Sequence, residues 1–304
     1  QPEHVCIFGG DHVYKMDVRQ MISAHIARNA AATIAAIPVP KKEATDFGVL
    51  EVDKDGRIVA FHEKVKNPPT MPGNSEMCLA SMGNYIFRTD DLIHELNRDA
   101  AVETSKHDFG HDILPRMVAD GQDIYAYDFA TNRVPGEDDR AIGYWRDVGS
   151  IEAYWEAQLD LISIHPLFNL YNDRWPIRSG ITHHPPAKFV FRDEAHARVG
   201  IATDSMVCHG CIISGGRIHR SVLSVGCRVN SFAEIEESIL YENVRVGRHA
   251  KLRRCIIDKD VEVPAGVEVG FNVEADKKRF FVSEGGLVVI PKRAKLDDEK
   301  MWRL

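Results

Sequence analysis

The chain has 304 residues, a length that predicts about two domains. Hydrophobic and charged residues make up 44% and 27% of it, as in an ordinary globular protein, and the formal net charge is −7. This charge argues against a nucleic-acid-binding protein, and no apolar run approaches the ~18 residues of a membrane span. Six cysteines in so long a chain do not indicate a disulfide scaffold, so we expect reduced thiols in a cytoplasmic protein.

The first half of the chain alternates between strand-like and helix-like segments. Val5–Phe8 has the apolar character of a buried parallel strand and delivers Asp11 to the edge of a sheet. The next segment, Asp17–Asn29, has apolar residues at helical spacing, with Asp17 as its N-cap. His25 lies on the apolar stripe of this helix, so we interpret it as a packed, hydrogen-bonded histidine and not as a ligand.

The same alternation continues to about residue 162. The further predicted elements are a buried strand Ala32–Val39, a hairpin at Asp55–Gly56, a strand Leu79–Phe87, a helix capped at Thr89, a helix ending at Gly121, a strand 123–129 and a serine-capped helix Ser150–Ile162. This order predicts an α/β fold with a mostly parallel sheet, an inserted hairpin and covering helices. Ligands of such sheets gather at the carboxyl ends of the strands, where Asp11 falls.

The second half follows a different period. From about Ser205, apolar residues recur about every six positions in a pattern that repeats every 17 residues. Twelve positions fit this pattern: Met206, Ile212, Ile218, Leu223, Val229, Ile235, Leu240, Val246, Leu252, Ile257, Val263 and Val269. A triangular coil with one inward residue per side produces it, so we predict four stacked coils of a parallel β-helix. An antiparallel β-sandwich would not keep a fixed register of this kind.

The predicted division of the chain is a first domain 1–163, a linker 164–195 and a β-helix domain 196–304. The linker contains the proline-rich segment Pro176–Phe191, which has no period and is long enough to connect two domains. A CxxC pair, Cys208 and Cys211, could begin a zinc site. No second pair follows at zinc spacing, and we favour a structural or incidental role.

Two aspartates are candidates for holding a metal ion. Asp11 ends an early strand, and Asp147 lies just before the helix that begins at Ser150. Two carboxylates can hold Mg²⁺ when substrate phosphates and water complete its coordination. Alternatively, Asp147 caps the helix and Asp11 sits in a turn, and spacing alone favours this second interpretation.

Two strand ends carry further candidates for substrate binding. Lys64 could neutralise a phosphate, and Glu63 beside it could accept hydrogen bonds from sugar hydroxyls. A solvated charge pair is the alternative. Ser81 and Gly83 interrupt a β-favouring run, and a glycine within a strand marks close approach of a ligand or of a neighbouring element.

Several motifs together resemble a known family. They are "GGDHVYKMD", "DFGV", "FHEKVKNPP", "LASMGNYIF", "HDFGHDILP", "YWRDVGSIEAYWEAQLDL", "WPIR" and "PPAKF". In this order they resemble the glucose-1-phosphate adenylyltransferases (ADP-glucose pyrophosphorylases) of the bacterial glycogen type. The resemblance covers nearly the whole chain, and the 17-residue coils resemble the left-handed parallel β-helix that follows the Rossmann-like nucleotidyltransferase domain of that family.

The resemblance implies a reaction and its residues. ATP and α-D-glucose 1-phosphate would give ADP-glucose and pyrophosphate for glycogen biosynthesis, with Mg²⁺ offsetting charge at phosphorus. Asp11 and Asp147 match the metal-binding carboxylates, and Lys64 matches the clamp on glucose 1-phosphate. The sugar contacts carried over by the resemblance are Gly48, Glu63 and Ser81.

The resemblance also implies regulation and assembly. Family members are homotetramers that sugar phosphates activate and that AMP or phosphate inhibits. Lys259 matches a basic effector position of the β-helix, and Arg253 and Arg254 are its neighbours in sequence. A solvent-facing basic edge is the alternative interpretation of these three residues.

One departure from the family pattern is plain. Its glycine-rich phosphate-binding loop, with an arginine, precedes the "GDH" strand, and these 304 residues contain no such stretch. We therefore expect a partial sequence, inactive and poorly soluble by itself because a sheet without its first strands exposes an edge.

Three other functions compete with this interpretation. A mannose-1-phosphate guanylyltransferase or another sugar-nucleotide pyrophosphorylase would differ in the base-reading loop. A non-catalytic regulatory subunit would not need Asp11, Lys64 and Asp147 together. A β-helix acyltransferase expects a catalytic histidine on the coils, and the histidines there have no coherent placement.

Overall fold

The structure, a computed structural model, describes residues 1–178, 180 and 183–296. The chain forms two compact units, Gln1–Trp145 and Arg146–Leu304. Residues 179, 181 and 182 of the predicted linker segment lie outside the described residues, as do residues 297–304 of the predicted β-helix domain. The division at residue 163 stays a prediction.

The first unit consists of a sheet with helices. Its strands are β1 His4–Ile7, β2 His12–Tyr14, β3 Ala32–Pro40, β4 Gly48–Val52, β5 Ile58–Glu63, β6 Met77–Arg88 and β7 Ile124–Asp128. Its helices are α1 Val18–Ala27, α2 Thr89–Ala100 and α3 Leu114–Ala119, with a π-helical turn Phe109–Ile113 directly before α3 and 3-10 turns at Ala44–Asp46, Phe129–Thr131 and Asp139–Ala141. The α/β fold class and the central hairpin at Asp55–Gly56 are confirmed.

The prediction of a mostly parallel sheet is wrong. The strand order is β5-β4-β6-β3-β7, with β1 also bonded to β6, and only the β3–β7 pair is parallel. Helix α1 does connect β1 to β3, but the long strand β6 lies between them and runs in the opposite direction. The strand predicted at Val5–Phe8 is therefore antiparallel and half-buried instead of parallel and buried.

Strand β3 is the buried centre of the first unit. Its alternate residues enter two hydrophobic cores, with Ile34 in one and Ile37 in the other. Helix α1 covers one of these cores, and Asp17 caps it by accepting a hydrogen bond from the Arg19 amide, as predicted. His25 is buried, with Nδ1 at 2.8 Å from Thr33 Oγ1, so its predicted role in packing is confirmed.

Two predicted helix ends differ in detail. The N-cap of α2 is Arg88 in an extended conformation, and Thr89 makes no capping hydrogen bond because it is already the first helical residue. The segment that ends at Gly121 is helical, and Gly121 has a φ of +73° past its end, as helix-terminating glycines do. It begins, however, with the π-helical turn and not with an α-helical one.

The second unit contains helix α4 Ile151–Asp160 and the coils, and strand β8 Trp145–Asp147 spans the boundary. The other strands are β9 Lys188–Val190, β10 Arg192–Asp193, β11 Arg198–Val199, β12 Ile201–Thr203, β13 Met206–Val207, β14 Ile212–Ser214, β15 Arg217–His219, β16 Val222–Leu223, β17 Arg228–Val229, β18 Glu234–Glu236, β19 Ile239–Leu240, β20 Arg245–Val246, β21 Lys251–Arg253, β22 Cys255–Ile257, β23 Glu262–Val263, β24 Glu268–Val269, β25 Phe281–Val282 and β26 Val288–Ile290; the other helices are a 3-10 turn Glu194–His196 and α5 Val273–Lys277. Ser150 caps α4 as predicted, accepting from the Ala153 amide.

The coils stack into three parallel sheets. Their orders are β12-β15-β18-β21-β24, β13-β16-β19-β22-β26 with β25 antiparallel at its edge, and β9-β14-β17-β20-β23. Residues 17 apart pair across the coils, such as Ile235 with Leu252 and Val246 with Val263, so the predicted left-handed parallel β-helix is confirmed.

The first coil departs from the predicted register. It is one residue shorter than the 17-residue coils that follow it, so Val207 pairs with Leu223 and Ile213 pairs with Val229. Because side chains alternate between the two faces of a strand, this shift turns the predicted inward residues Met206 and Ile212 away from the axis. Ile213 is fully buried instead.

Helix α4 packs against the coils within the second unit. The Trp155 indole nitrogen donates to the Glu237 carbonyl at 2.8 Å, and the Arg254 guanidinium lies over the Trp155 ring at 4.6 Å. None of the helices among the described residues combines the length and the apolar character that a membrane crossing requires.

Candidate active site

Glu63, at the end of β5, lies between two glycines, Gly48 and Gly110, and we call this group of residues the Glu63 pocket. Glu63 pairs with Gly48 at the start of β4, and a Cβ atom on Gly48 would lie 2.8 Å from Glu63 Oε2. A Cβ atom on Gly110, in the π-helical turn, would also lie 2.8 Å from this oxygen. Real Cβ atoms do not approach an oxygen so closely, so the two glycines leave the space that the carboxylate occupies.

Ser81 and Tyr85 of strand β6 face the same region. Ser81 is buried, and its Oγ accepts a hydrogen bond from the Gly83 amide at 3.3 Å. Burial raises the pKa of Tyr85 to about 12. A hydrogen bond to Ser81 lowers this pKa by a smaller amount, and the negative charges of Glu63 and Asp108 raise it. The structure therefore brings the predicted sugar contacts Gly48, Glu63 and Ser81 together.

The Glu63 carboxyl has a raised pKa. Burial raises the pKa of the Glu63 carboxyl, Asp108 raises it further, and Lys64 and His111 lower it. A partly desolvated carboxylate whose space is kept by glycines is suited to accept hydrogen bonds from hydroxyl groups. Among the described residues, no side chain donates a hydrogen bond to this carboxylate.

Lys64 leaves β5 with an unusual backbone. Its φ is +48°, its side chain is exposed, and its amide donates to the Phe47 carbonyl at 3.2 Å. A left-handed lysine is uncommon, and such backbone outliers concentrate at functional sites. Strand β5 ends at Glu63, directly before this left-handed residue.

Asp11 lies in the turn between β1 and β2, and its side chain is 66% exposed. Its neighbour His12 packs against Gly9 and Gly83 and lies 5.2 Å, centroid to centroid, from the Trp145 ring. Gly83 has a φ of +69°, and an added Cβ would lie 3.1 Å from His12, which explains the glycine within the strand.

The side chains of His12, Trp145 and Phe47 form an aromatic cluster beside Asp11, and two of its nitrogen atoms have no hydrogen-bond partner among the described residues. Trp145 also contacts Phe47, at 5.2 Å between ring centroids. Within the described part of the chain, His12 Nδ1 and Trp145 Nε1 are buried and have no hydrogen-bond partner. Buried polar atoms without a partner also occur elsewhere among the described residues, such as both side-chain polar atoms of Asn84, so the two atoms do not by themselves indicate a ligand.

Asp147 belongs to the second unit. It is half-buried, and its Oδ1 accepts a hydrogen bond from the Gly149 amide at 2.9 Å. Ser150, and not Asp147, is the N-cap of α4, so the capping alternative does not account for Asp147. Among residues 1–178, 180 and 183–296, no group of three or more His, Cys, Asp or Glu side chains could hold a metal ion.

The three predicted effector residues point to different neighbours. Lys259 Nζ lies 3.5 Å from Glu242, and Arg253 lies over the Phe271 ring at 4.7 Å. Arg254 has a φ of +49° at a coil corner and stacks on Trp155. Strand β22 separates the two arginines from Lys259, so a shared effector site among them stays a prediction.

The two cysteines of the CxxC motif, Cys208 and Cys211, lie in the first coil as free thiols. Cys211 is fully buried in the coil axis, where its Sγ donates to the Ser224 carbonyl at 3.0 Å, and Cys208 is half-buried beside it. Burial raises the pKa of the Cys208 thiol, which disfavours the thiolate that metal binding needs.

Sequence reasoning missed three members of the pocket as site residues. Tyr85, Asp108 and Gly110 lie near Glu63, and in the sequence they stand out only as parts of longer motifs. A signal was present, because "HDFGHD" places a glycine between acids and histidines where an ordinary helix would not favour one. A π-helical turn is a frequent feature of functional sites.

Comparisons with known proteins assign the chain to a family. The profile of the nucleotidyl transferase family matches residues 1–163, and that of the GlmU-like C-terminal hexapeptide family matches residues 185–290. A glucose-1-phosphate adenylyltransferase of Anaeromyxobacter sp. (strain Fw109-5) is 53% identical over 98% of this chain and 72% of its own length. The chain belongs to the glucose-1-phosphate adenylyltransferase family.

Other family members are nearly as similar. The glucose-1-phosphate adenylyltransferase of Aliivibrio fischeri (strain ATCC 700601 / ES114) is 50% identical, and that of Deinococcus radiodurans is 46% identical. Each match covers 96% of this chain and 70% of the relative. The family resemblance and the fold class read from the sequence are thus confirmed, and nucleotidyltransferases of this family generally use a divalent metal.

Proposed function

We propose that the protein transfers the adenylyl group of ATP to α-D-glucose 1-phosphate, releasing pyrophosphate and forming ADP-glucose for glycogen biosynthesis. The observation that carries this proposal is the pocket in which Gly48 and Gly110 leave space for the Glu63 carboxylate. The likeness of the chain to relatives named glucose-1-phosphate adenylyltransferase supports ATP and glucose 1-phosphate as the substrates.

The pocket residues have distinct roles in this proposal. Glu63 and Asp108 accept hydrogen bonds from glucose hydroxyls, and Ser81 contributes a hydroxyl that can donate or accept. Lys64 lies beside them on an exposed turn and pairs with the sugar phosphate as a point charge. Fixing the sugar in this way orients the phosphate oxygen that attacks the α-phosphorus of ATP.

A divalent cation completes the proposed site. We assign Mg²⁺ to Asp11 and Asp147, whose carboxylate oxygens are ligands of the right chemistry, with the other positions taken by phosphates and water. The exposure of Asp11 leaves its oxygens accessible. When bound, the ion offsets the negative charge that builds on the phosphates during displacement.

Family membership also supports proposals for the regulation, assembly and location of the protein. We infer a cytoplasmic homotetramer that a sugar phosphate activates and that AMP or phosphate inhibits, with Lys259, Arg253 and Arg254 as effector contacts. Their partial exposure supports this assignment, because Arg253 is exposed and Arg254 and Lys259 are half-buried. Charge reversal of Lys259 tests it through the activation curve.

Substrate choice is the experiment that tests the proposed function. Initial rates of the full-length protein are measured with ATP or GTP as donor and with glucose 1-phosphate or mannose 1-phosphate as acceptor. We expect kcat/KM to be at least about 100-fold higher for ATP with glucose 1-phosphate than for the other three pairs. Preference for GTP and mannose 1-phosphate, or no turnover with any pair, would contradict the proposal.

A further inference from the structure

The buried carboxylate of Asp99 is bonded to the segment that leads into the sugar pocket and does not belong to the pocket itself. Asp99, near the end of helix α2, is 2% exposed. Ser105 Oγ donates to its Oδ1 at 2.8 Å, and His107 Nδ1 lies 2.8 Å from its Oδ2. Arg116 of helix α3 approaches Oδ1 at 3.3 Å, so Asp99 is bonded to the segment 105–107 and to the next helix.

The segment that Asp99 holds has a strained backbone. His107 has a φ of +58°, a conformation that costs a non-glycine residue on the order of 1 kcal/mol or more. Two bonds fix this residue, since its ring meets Asp99 and its amide donates to Ser105 Oγ at 3.0 Å. Asp99 therefore binds both residues that determine the His107 conformation.

His107 is followed directly by the pocket. Asp108, the next residue, caps the π-helical turn by accepting from the His111 amide at 2.8 Å, and Gly110 in that turn faces Glu63. On the other side, Asp112 accepts from the Asp108 amide at 3.3 Å. A change in the His107 angle would thus move Asp108 and Gly110 relative to Glu63.

We propose that Asp99 is a positioning residue for sugar phosphate binding, acting through His107 to fix the place of Asp108 and Gly110. The proposal rests on the proposed function, because it takes the Glu63 pocket as the sugar site. Asp99 touches no substrate in this account. Its effect is confined to the acceptor side of the reaction.

Two variants of the full-length protein test the proposal. Asp99→Asn keeps the shape but replaces one acceptor oxygen, and His107→Gly keeps the left-handed angle accessible but removes the ring bonded to Asp99. The His107 side chain is 61% exposed, so the second variant is not expected to impair folding. Asp120→Asn is the matched control. Asp120 accepts a hydrogen bond from Arg98, the neighbour of Asp99 in helix α2, and among the described contacts it is bonded to no residue of segment 105–108.

The measurements are steady-state kinetics and amide hydrogen exchange of segment 105–112. We expect KM for glucose 1-phosphate to rise about 10-fold or more in both variants, KM for ATP to stay within about 2-fold, and exchange to accelerate about 10-fold. Unchanged exchange in both variants would overturn the proposal, and so would faster exchange with an unchanged KM for glucose 1-phosphate. If the wild-type protein does not use glucose 1-phosphate, the proposed function fails first, and the exchange rates still decide whether Asp99 fixes the segment.

Discussion

Replacing Gly110 with alanine tests the pocket with a single methyl group. The new Cβ atom would lie 2.8 Å from Glu63 Oε2 and 3.5 Å from Asp108 Oδ1. Ordinary contacts between such atoms begin at about 3.4 Å, so the Glu63 carboxylate must move by at least about 0.6 Å. Gly110 has no left-handed backbone angle, and the effect is therefore one of space alone.

The expected magnitudes separate function from stability. The carboxylate is the end of a flexible side chain, so its displacement costs about 0.5–1.5 kcal/mol of unfolding free energy through a less favourable rotamer. A misplaced carboxylate loses a charge-assisted hydrogen bond to the sugar, which is worth about 1.5–3 kcal/mol. This loss corresponds to a rise of about 10- to 100-fold in KM for glucose 1-phosphate.

The assay compares kinetics and stability in the same preparations. KM for glucose 1-phosphate and for ATP is measured for wild type and Gly110→Ala, together with the free energy of unfolding in urea. Gly180→Ala is the control, because among the described residues no atom lies within 4 Å of the position of its Cβ atom, and Gly180 has no left-handed angle. An unchanged KM for glucose 1-phosphate would refute the sugar pocket, and equal rises for both substrates would refute its specificity.

Four other changes have defined outcomes. Lys64→Ala should raise KM for glucose 1-phosphate about 10- to 100-fold and KM for ATP far less, and an unchanged value would remove Lys64 from phosphate binding. Asp11→Asn should lower kcat by at least about 100-fold with little change in Tm, since the side chain is exposed, and a near-normal kcat would exclude Asp11 from the mechanism. Burial lowers the pKa of His25 to about 4, so the unfolded chain takes up a proton first as pH falls below its usual value of 6.5. The free energy of unfolding, measured by denaturation, should therefore fall between about pH 6.5 and 4, by at most about 1.4 kcal/mol per pH unit. The fall should be smaller in His25→Gln, and an equal dependence on pH in wild type and variant would contradict this. Ser238→Ala removes the oxygen that accepts from the Cys255 amide at 3.3 Å inside the coils, so urea unfolding should show a loss of about 1–3 kcal/mol, and no measurable loss would count against the hydrogen-bonded ladder.

Local signals predicted the elements well because they act within a few residues. The Asp17 and Ser150 caps, the turn at Asp55–Gly56 and the 17-residue spacing of the coils all require only short-range information. The direction of β1 could not be predicted in this way. Whether β3 or β6 lies beside it depends on pairing between strands that are far apart in sequence.

The short first coil was hidden for a related reason. Met206 and Ile212 are apolar and fit the 17-residue period, whereas Val207 and Ile213 are apolar but lie 17 positions before the polar residues Ser224 and Asn230. The period therefore selects the wrong member of each adjacent apolar pair. Only the pairing with the next coil selects the right one.

The candidate site was predicted in part. Gly48, Glu63 and Ser81 were expected as sugar contacts, and the structure brings them together in the first unit. The glycine of "HDFGHD" stands out locally, but the contact of Gly110 with Glu63 could not be anticipated, because it joins residues 47 positions apart in the chain (110 − 63 = 47). Such complementarity depends on the folded backbone and leaves little trace in local sequence.

The location of the sugar site is the central claim, and ligand-dependent amide hydrogen exchange tests it most directly. Exchange of the full-length protein is measured with and without saturating glucose 1-phosphate. We predict that protection is concentrated in three segments: residues 47–64, 81–85 and 108–113. Protection confined to the β-helix, with these segments unchanged, would contradict the account.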